Sequence, residues 1–340
     1  MTGEIMRREM EEQPEVLARI ADSAAELRDR VRAIVPERLA GIAFVGRGSS
    51  DNAAMLGRYA TEIAAHRPAG LAAPSLHTRY ASPIDYSDYL VVGLSQSGAT
   101  PEVVVTCERL RMSGAVVIAI TNDDSSPLAA VSDLALSTRA GEELAVPATK
   151  TVTAEMALVL VVAGALGDGL KGVTELGAVP GAVAAVLADD RPAAELAAAW
   201  AGYDRLLVTA RGLAYAAALE TALKVKETAR VFAEGMSSAD LLHGPIASVG
   251  AGLPVLCMDG GDPMAGDGRQ LVERLETLEA PIATCSPDPD STLAMPGGLA
   301  EVMYTIVATV RGQQLARQLS LARGFDPDHP SGLTKVTPTR

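Results

Sequence analysis

A chain of 340 residues with a formal net charge of −13 has length enough for two domains with cores of their own, and its acidity argues against nucleic acid or an anionic membrane as partner. Hydrophobic residues make up 48% but aromatics only 3%, so Ala, Val and Leu must carry the packing. Cys107, Cys257 and Cys285 lack metal-ligand spacing and read as small core residues, which with a charged N-terminus lacking signal-peptide character sets the expectation of a cytoplasmic protein without a membrane span.

Residues 5–33 alternate charged and apolar positions at helical spacing. Gly41–Gly46 then reads as a strand that turns through Arg47-Gly48-Ser49-Ser50-Asp51 into an Ala-rich helix. Val91–Leu94, Ala115–Ile120 and Asp133–Leu136 are further strands, with helices at 101–112 and 151–167. Strands alternating with helices, without hairpin signals, predict an α/β fold with doubly wound parallel sheets.

The strongest local signal in this half is Ser95-Gln96-Ser97-Gly98-Ala99-Thr100, set between a strand and a helix that opens with Pro101. Hydroxyls and backbone N–H groups at the positive end of a helix dipole make an anion site. Gly98 permits close backbone approach, and Ser95, Ser97 and Thr100 supply neutral donors. The absence of a G-x-x-x-x-G-K pattern excludes a nucleotide P-loop and leaves a sugar phosphate, or a capped turn without ligand.

The second half repeats the first. Arg205–Gly212 follows the pattern of Ala43–Gly48, with Arg211-Gly212 lying 164 residues beyond Arg47-Gly48; Leu253–Met258 follows Leu90–Ser95, and Ala280–Cys285 follows Ala115–Ile120, at nearly the same offset. Three strands sharing one offset predict a duplicated domain. The boundaries expected are a helical segment at 1–35, domains at 36–178 and 200–323 joined through an Ala-rich helical stretch, and a tail at 324–340. The second copy carries Met258-Asp259-Gly260-Gly261 where the first carries its serine turn, so only one copy is expected to bind phosphate.

In the second copy Glu220, Lys224 and Glu227 share one helical face at i, i+4 and i+7, either a reactive cluster or a solvated stripe of ion pairs. His243, pinned by Gly244-Pro245, is structural or catalytic. The Asp326–Lys335 tail ends in a cation suited to closing over a ligand.

Together these segments resemble the double sugar isomerase (SIS) domain family. The likeness is to the isomerase half of glutamine–fructose-6-phosphate amidotransferases and to stand-alone amino-sugar-phosphate deaminases and isomerases. It runs nearly end to end: Met6–Pro14, Gly48-Ser49-Ser50, Ser95–Thr100, Thr138–Glu143 with Ala148-Thr149-Lys150, Ala222–Glu227, His243-Gly244-Pro245 and Leu333-Thr334-Lys335. The resemblance implies two flavodoxin-like domains. It implies a phosphate site at Gly48, Ser49, Ser50, Ser95, Gln96, Ser97 and Thr100, with Glu143, Val146 and Ala148 against the sugar. It further implies Glu227 as the proton-transfer base, His243 as the ring-opening group, Lys224 and Lys335 as sugar-contacting cations, and a homodimer in which His243 crosses the interface. No cofactor or metal is implied. The expected reaction is aldose–ketose isomerisation or deamination of a hexosamine 6-phosphate such as glucosamine 6-phosphate, by proton abstraction at C2. A lyase dehydrating an N-acetylated substrate and a non-catalytic sugar-phosphate sensor are the alternatives.

Two positions depart from the family pattern. Ala148 replaces a common Ser, and Leu242 precedes His243 where Lys is common. No Cys precedes Cys107, so the resemblance does not extend to an N-terminal Cys nucleophile, and ammonia capture from glutamine is not expected of this chain.

Overall fold

A computed structural model describes residues 2–261 and 263–335. Its described residues fall into two compact units. One comprises Glu15–Glu143 and Lys150–Gly177. The other comprises the N-terminal segment to Pro14, the short strap Leu144–Thr149, and Ala178–Lys335.

The first unit holds a five-stranded sheet of β1 (Gly41–Val45), β2 (Ala69–Leu71), β3 (Tyr89–Leu94), β4 (Val116–Thr121) and β5 (Leu134–Ser137), in the order β2-β1-β3-β4-β5 with every pairing parallel. This is the doubly wound flavodoxin-like order, whose direction of winding reverses between β1 and β3. The central strands are near-continuous apolar runs because both faces are covered. One face packs on helix Pro101–Met112 through Val91, Val103, Cys107, Leu110 and Val117. Helix Ser49–Ala65 packs against helix Lys150–Leu166, which is apolar around almost its whole circumference and accordingly buried.

The second unit repeats the topology. Its sheet is β6 (Arg205–Ala210), β7 (Phe232–Ser237), β8 (Val255–Met258) and β9 (Ile282–Cys285), in the order β7-β6-β8-β9, again all parallel. Even the register is inherited. The Phe44↔Val92 pair of β1 and β3 recurs as Leu207↔Val255, and Ile42↔Ala69 recurs as Arg205↔Phe232. The expected Ala-rich connection is two helices, Val179–Leu187 and Arg191–Trp200.

Helix Tyr215–Ala229 packs along helix Glu301–Ala322. Polar bonds fix that contact: the Thr228 hydroxyl donates to the carbonyls of Lys224 and Ala316, and the Ser320 hydroxyl donates to the Thr228 carbonyl. The long helix is buried on nearly all sides, and its Arg311 guanidinium donates to the Ala294 and Asp189 carbonyls. Cys107, Cys257 and Cys285 are buried thiols pushed up to about 12 by loss of water, which fits packing rather than reactivity. Among the described residues no helix is long and apolar enough to cross a membrane.

Candidate functional site

The unit carrying the five-stranded sheet presents a candidate anion site. β1 and β3 are neighbours, and each runs directly into a helix: β1 through Gly46–Gly48 into Ser49–Ala65, and β3 through Ser95–Thr100 into Pro101–Met112. Two helix N-termini therefore open at the carboxyl end of the sheet, where the winding reverses. The first-turn N–H groups of a helix have no intrahelical acceptor and need one from elsewhere. Neither helix receives a side-chain cap, because Gly48 has no side chain and the Thr100 hydroxyl pairs instead with that of Ser95 at 3.1 Å. This differs from a self-capped turn. An Arg47–Glu102 ion pair at 2.9 Å ties the two loops together.

Gly98 shapes the second loop. Its φ is +59°, and a Cβ there would lie 2.1 Å from Ser126 Oγ and 2.7 Å from Thr121 Oγ1. No other residue fits without displacing both. The Gly98 N–H donates to the Ser95 carbonyl, and the Gly98 carbonyl accepts from Leu128, so the turn is clamped onto the segment after β4. Ser95 is buried at the mouth, Gln96 and Ser97 are partly exposed, and Ser97 Oγ accepts from the Ala99 N–H, which leaves its proton to donate outward. Ser50 lies in the first turn of its helix with its hydroxyl donating to Glu155 at 3.0 Å, and Ser49 is half-buried beside it. Glu143 is buried with both oxygens on Thr151, accepting from its N–H at 3.1 Å and its hydroxyl at 2.7 Å. It thereby caps helix Lys150–Leu166.

The other unit carries the titratable cluster. Lys224 is 1% exposed, and its Nζ lies 3.5 Å from Glu220 Oε1 and in direct contact with Glu227 Oε2. Glu220 is fully buried, whereas the Glu227 side chain retains 23% exposure. A solvated stripe is thus excluded by burial. One ammonium is enclosed with two carboxylates, and only Glu227 opens to solvent. Burying such a group costs several kcal/mol of desolvation, which weighs against a purely stabilising role. His243 ends the short helix Ser238–Leu242 in an exposed turn, with Gly244 at φ +134°, so it is not a core histidine.

Val146 and Ala148, both half-buried, lie on the strap Leu144–Thr149, which four distant groups hold. The Glu9 carboxylate accepts from the Leu144 and Ala145 N–H groups, the Asp328 carbonyl accepts from Val146, Lys335 Nζ donates to the Ala145 carbonyl at 2.7 Å, and Gln313 donates to the Thr149 carbonyl. The Asp328 carboxylate, 3% exposed, also accepts from the Ile5 and Met6 N–H groups and so caps the first helix, Glu4–Glu11. Lys335 therefore docks on the strap rather than trailing free. Glu9, Gln313 and Asp328 were not expected from sequence, since their partners lie 135 to 323 positions away and leave no local signal.

Comparison with known proteins converges on one family. The sequence profile of the SIS domain matches residues 40–165 and again 201–294, the two repeated halves. The glutamine--fructose-6-phosphate aminotransferase [isomerizing] of Mycobacterium tuberculosis is 32% identical over 312 residues, covering 86% of this chain and 50% of its own length. That of Aeropyrum pernix is 33% identical over 352 residues, covering 97% and 56%. The chain thus spans about half the length of the curated relatives it matches. Among solved structures, a candidate phosphosugar isomerase from Silicibacter pomeroyi superposes with a TM-score of 0.85 at 31% identity, covering 96% of this chain and all of the other. The glucosamine-6-phosphate deaminase of Thermotoga maritima shares the fold at a TM-score of 0.70 and 22% identity, covering 95% and 99%.

Proposed function

Because this chain belongs to the SIS-domain family, we propose that it is an enzyme acting on amino-sugar phosphates, of the type converting glucosamine 6-phosphate to fructose 6-phosphate. The phosphate is held by the Gly48-Ser49-Ser50 and Ser95–Thr100 loops, whose open helix N-termini supply neutral donors in a strongly acidic protein. Glu227 removes the proton at C2 of the open-chain sugar and returns it to C1, and the Lys224 ammonium offsets the negative charge of the enediolate between the two steps. His243 assists ring opening, and Lys335 and the strap bearing Val146 and Ala148 contact the sugar. When C2 carries an amine, the transfer passes through an imine that water hydrolyses to ketose and ammonia.

The observation that carries this reading is the enclosure of Lys224 with Glu220 and Glu227, in which Glu227 alone retains a path to solvent. The test is to incubate glucosamine 6-phosphate, fructose 6-phosphate and N-acetylglucosamine 6-phosphate with the protein in heavy water. Deuterium at C1 of the fructose 6-phosphate formed, together with ammonia release from the first, is the expected result. Absence of exchange with all three overturns it. Exchange with release of water instead of ammonia, giving a lighter product from the N-acetylated sugar, assigns a lyase.

A further inference from the structure

The second sheet has lost its serine turn, yet a cavity of about 290 Å³ lies at the carboxyl ends of β6, β8 and β9. This is the same place in the fold as the cradle of the first unit, the reversal point of the winding. Its chemistry is inverted. Where the first copy offers hydroxyls and helix N–H groups, the second places Asp259, whose Oδ1 accepts the Gly261 N–H at 2.7 Å and so takes up a donor that would face an anion. Gly268 on the facing helix Ala265–Glu276 leaves room for the other oxygen, since a Cβ there would lie 2.8 Å from Asp259 Oδ2.

Five carboxylates line the cavity, those of Asp259, Glu273, Glu276, Asp288 and Asp290. They face two guanidiniums, Arg211 and Arg269, of which Arg211 is already paired with Asp267. Part of the wall is apolar, including Met258, Leu271 and Val272. A further observation points to a ligand. Thr209 lines the cavity at 1% exposure, and its hydroxyl has no hydrogen-bond partner among the described residues. No cluster of His, Cys, Asp and Glu among the described residues is arranged to hold a metal ion.

We propose that this cavity binds a small, unphosphorylated organic amine, its ammonium directed to the carboxylates and its body resting on the apolar wall. Net negative lining excludes phosphosugars, so this site and the serine cradle select ligands of opposite charge within one duplicated fold.

Saturation-transfer NMR on the full chain with tyramine and with glucosamine as probes tests this, with glucose as the neutral control. The expected result is transfer to at least one amine and not to glucose. It should be lost in Val272→Trp, which fills the cavity from a half-buried position, and weakened about tenfold in Asp259→Asn, the loss of one charge-assisted bond. Should Val272→Trp fail to fold by circular dichroism, Asp259→Asn decides. Transfer retained in Ser95→Ala/Ser97→Ala separates this site from the phosphate cradle, and the result is independent of turnover on phosphosugars. The proposal is overturned by no transfer to either amine, by equal transfer to glucose, by binding undiminished in a folded Val272→Trp, by undiminished binding in Asp259→Asn, or by loss in the serine double variant.

Discussion

Glu227 is the residue on which the proposed chemistry turns, and its neighbours define a sharp test. Conversion to Gln preserves size and the contact with Lys224 while removing basicity. Turnover of glucosamine 6-phosphate is expected to fall by at least ~10²-fold with KM little changed, and C2 deuterium exchange should fall in parallel. An unchanged exchange rate would move the base elsewhere, with Glu143 next to be examined. A second carboxyl answers to pH. Glu301, at the start of the long helix, is pushed up to about 7 by burial, with the nearby Asp259 adding to the effect. A raised folded-state pKa means that the folded protein holds this proton more tightly than the unfolded chain, so stability declines as pH rises from about 4.5 through about 7. Because the group is only half-buried, solvent screening reduces the effect to on the order of 1 kcal/mol. Glu301→Gln should therefore gain urea midpoint relative to wild type on going from pH 5 to pH 8, and a constant difference would contradict this. Residues of this kind differ in how far sequence exposes them. The Glu220, Lys224 and Glu227 face is visible in spacing alone, but whether it is solvated or buried depends on packing against helix Glu301–Ala322, which local sequence does not encode. Asp328, Glu9 and Thr209 show no local sign, because their roles come from partners or voids supplied by distant segments.

Among the elements, the loops that follow β1 and β3 were legible because their needs are local: a glycine with positive φ, small hydroxyl residues, and Pro at the helix start. Strands β2 and β7 carry no comparable local signal. β2 has only three residues, and β7 reads Phe-Ala-Glu-Gly-Met-Ser with Phe232 71% exposed, as suits edge strands lacking full cover. Their existence follows from the pairing partner rather than from their own pattern. If the serine loop is the phosphate cradle, Ser95→Ala/Ser97→Ala should weaken phosphosugar binding by about 1.5–3 kcal/mol for each lost bond to a charged oxygen. The thermal midpoint should change little, since the Gly98 clamp on the β4 segment remains. Calorimetry on the folded double variant decides, and unchanged affinity removes the loop from the site.

For the molecule as a whole, duplication followed by divergence explains why the two sheets share order and register but not loop chemistry. The common offset of three strands announced the duplication in sequence, while the inverted charge at the second sheet becomes meaningful only once its cavity is seen. Association of chains belongs to this scale. His243 stands on an exposed turn next to Leu242, which is 51% exposed, and we propose that it serves the site of a partner chain in a homodimer. Mixing inactive His243→Ala with inactive Glu227→Gln should then regenerate part of the activity, approaching a quarter of wild type for random pairing in which one of two sites per mixed dimer is intact. No recovery after demonstrated subunit exchange would place both residues in the service of one chain.

The Asp328 clasp has a consequence for the order of events during synthesis. Its bonds to Ile5 and Met6 close a circuit of more than 320 residues, and the same residue holds the strap at Val146. Both sheets involve only nearer partners and can form as the chain is made, at about 5–20 residues per second. Helix Glu4–Glu11 and the strap wait for the segment around Asp328 before they are fastened. A chain truncated after Arg323 should accordingly keep its sheets by circular dichroism while residues 4–11 and 144–149 exchange their amide hydrogens at least tenfold faster, and unchanged protection there would show that the clasp is dispensable. Synthesis of the Asp328 segment thus acts as a checkpoint: before it is made, neither helix Glu4–Glu11 nor the strap Leu144–Thr149 is fastened.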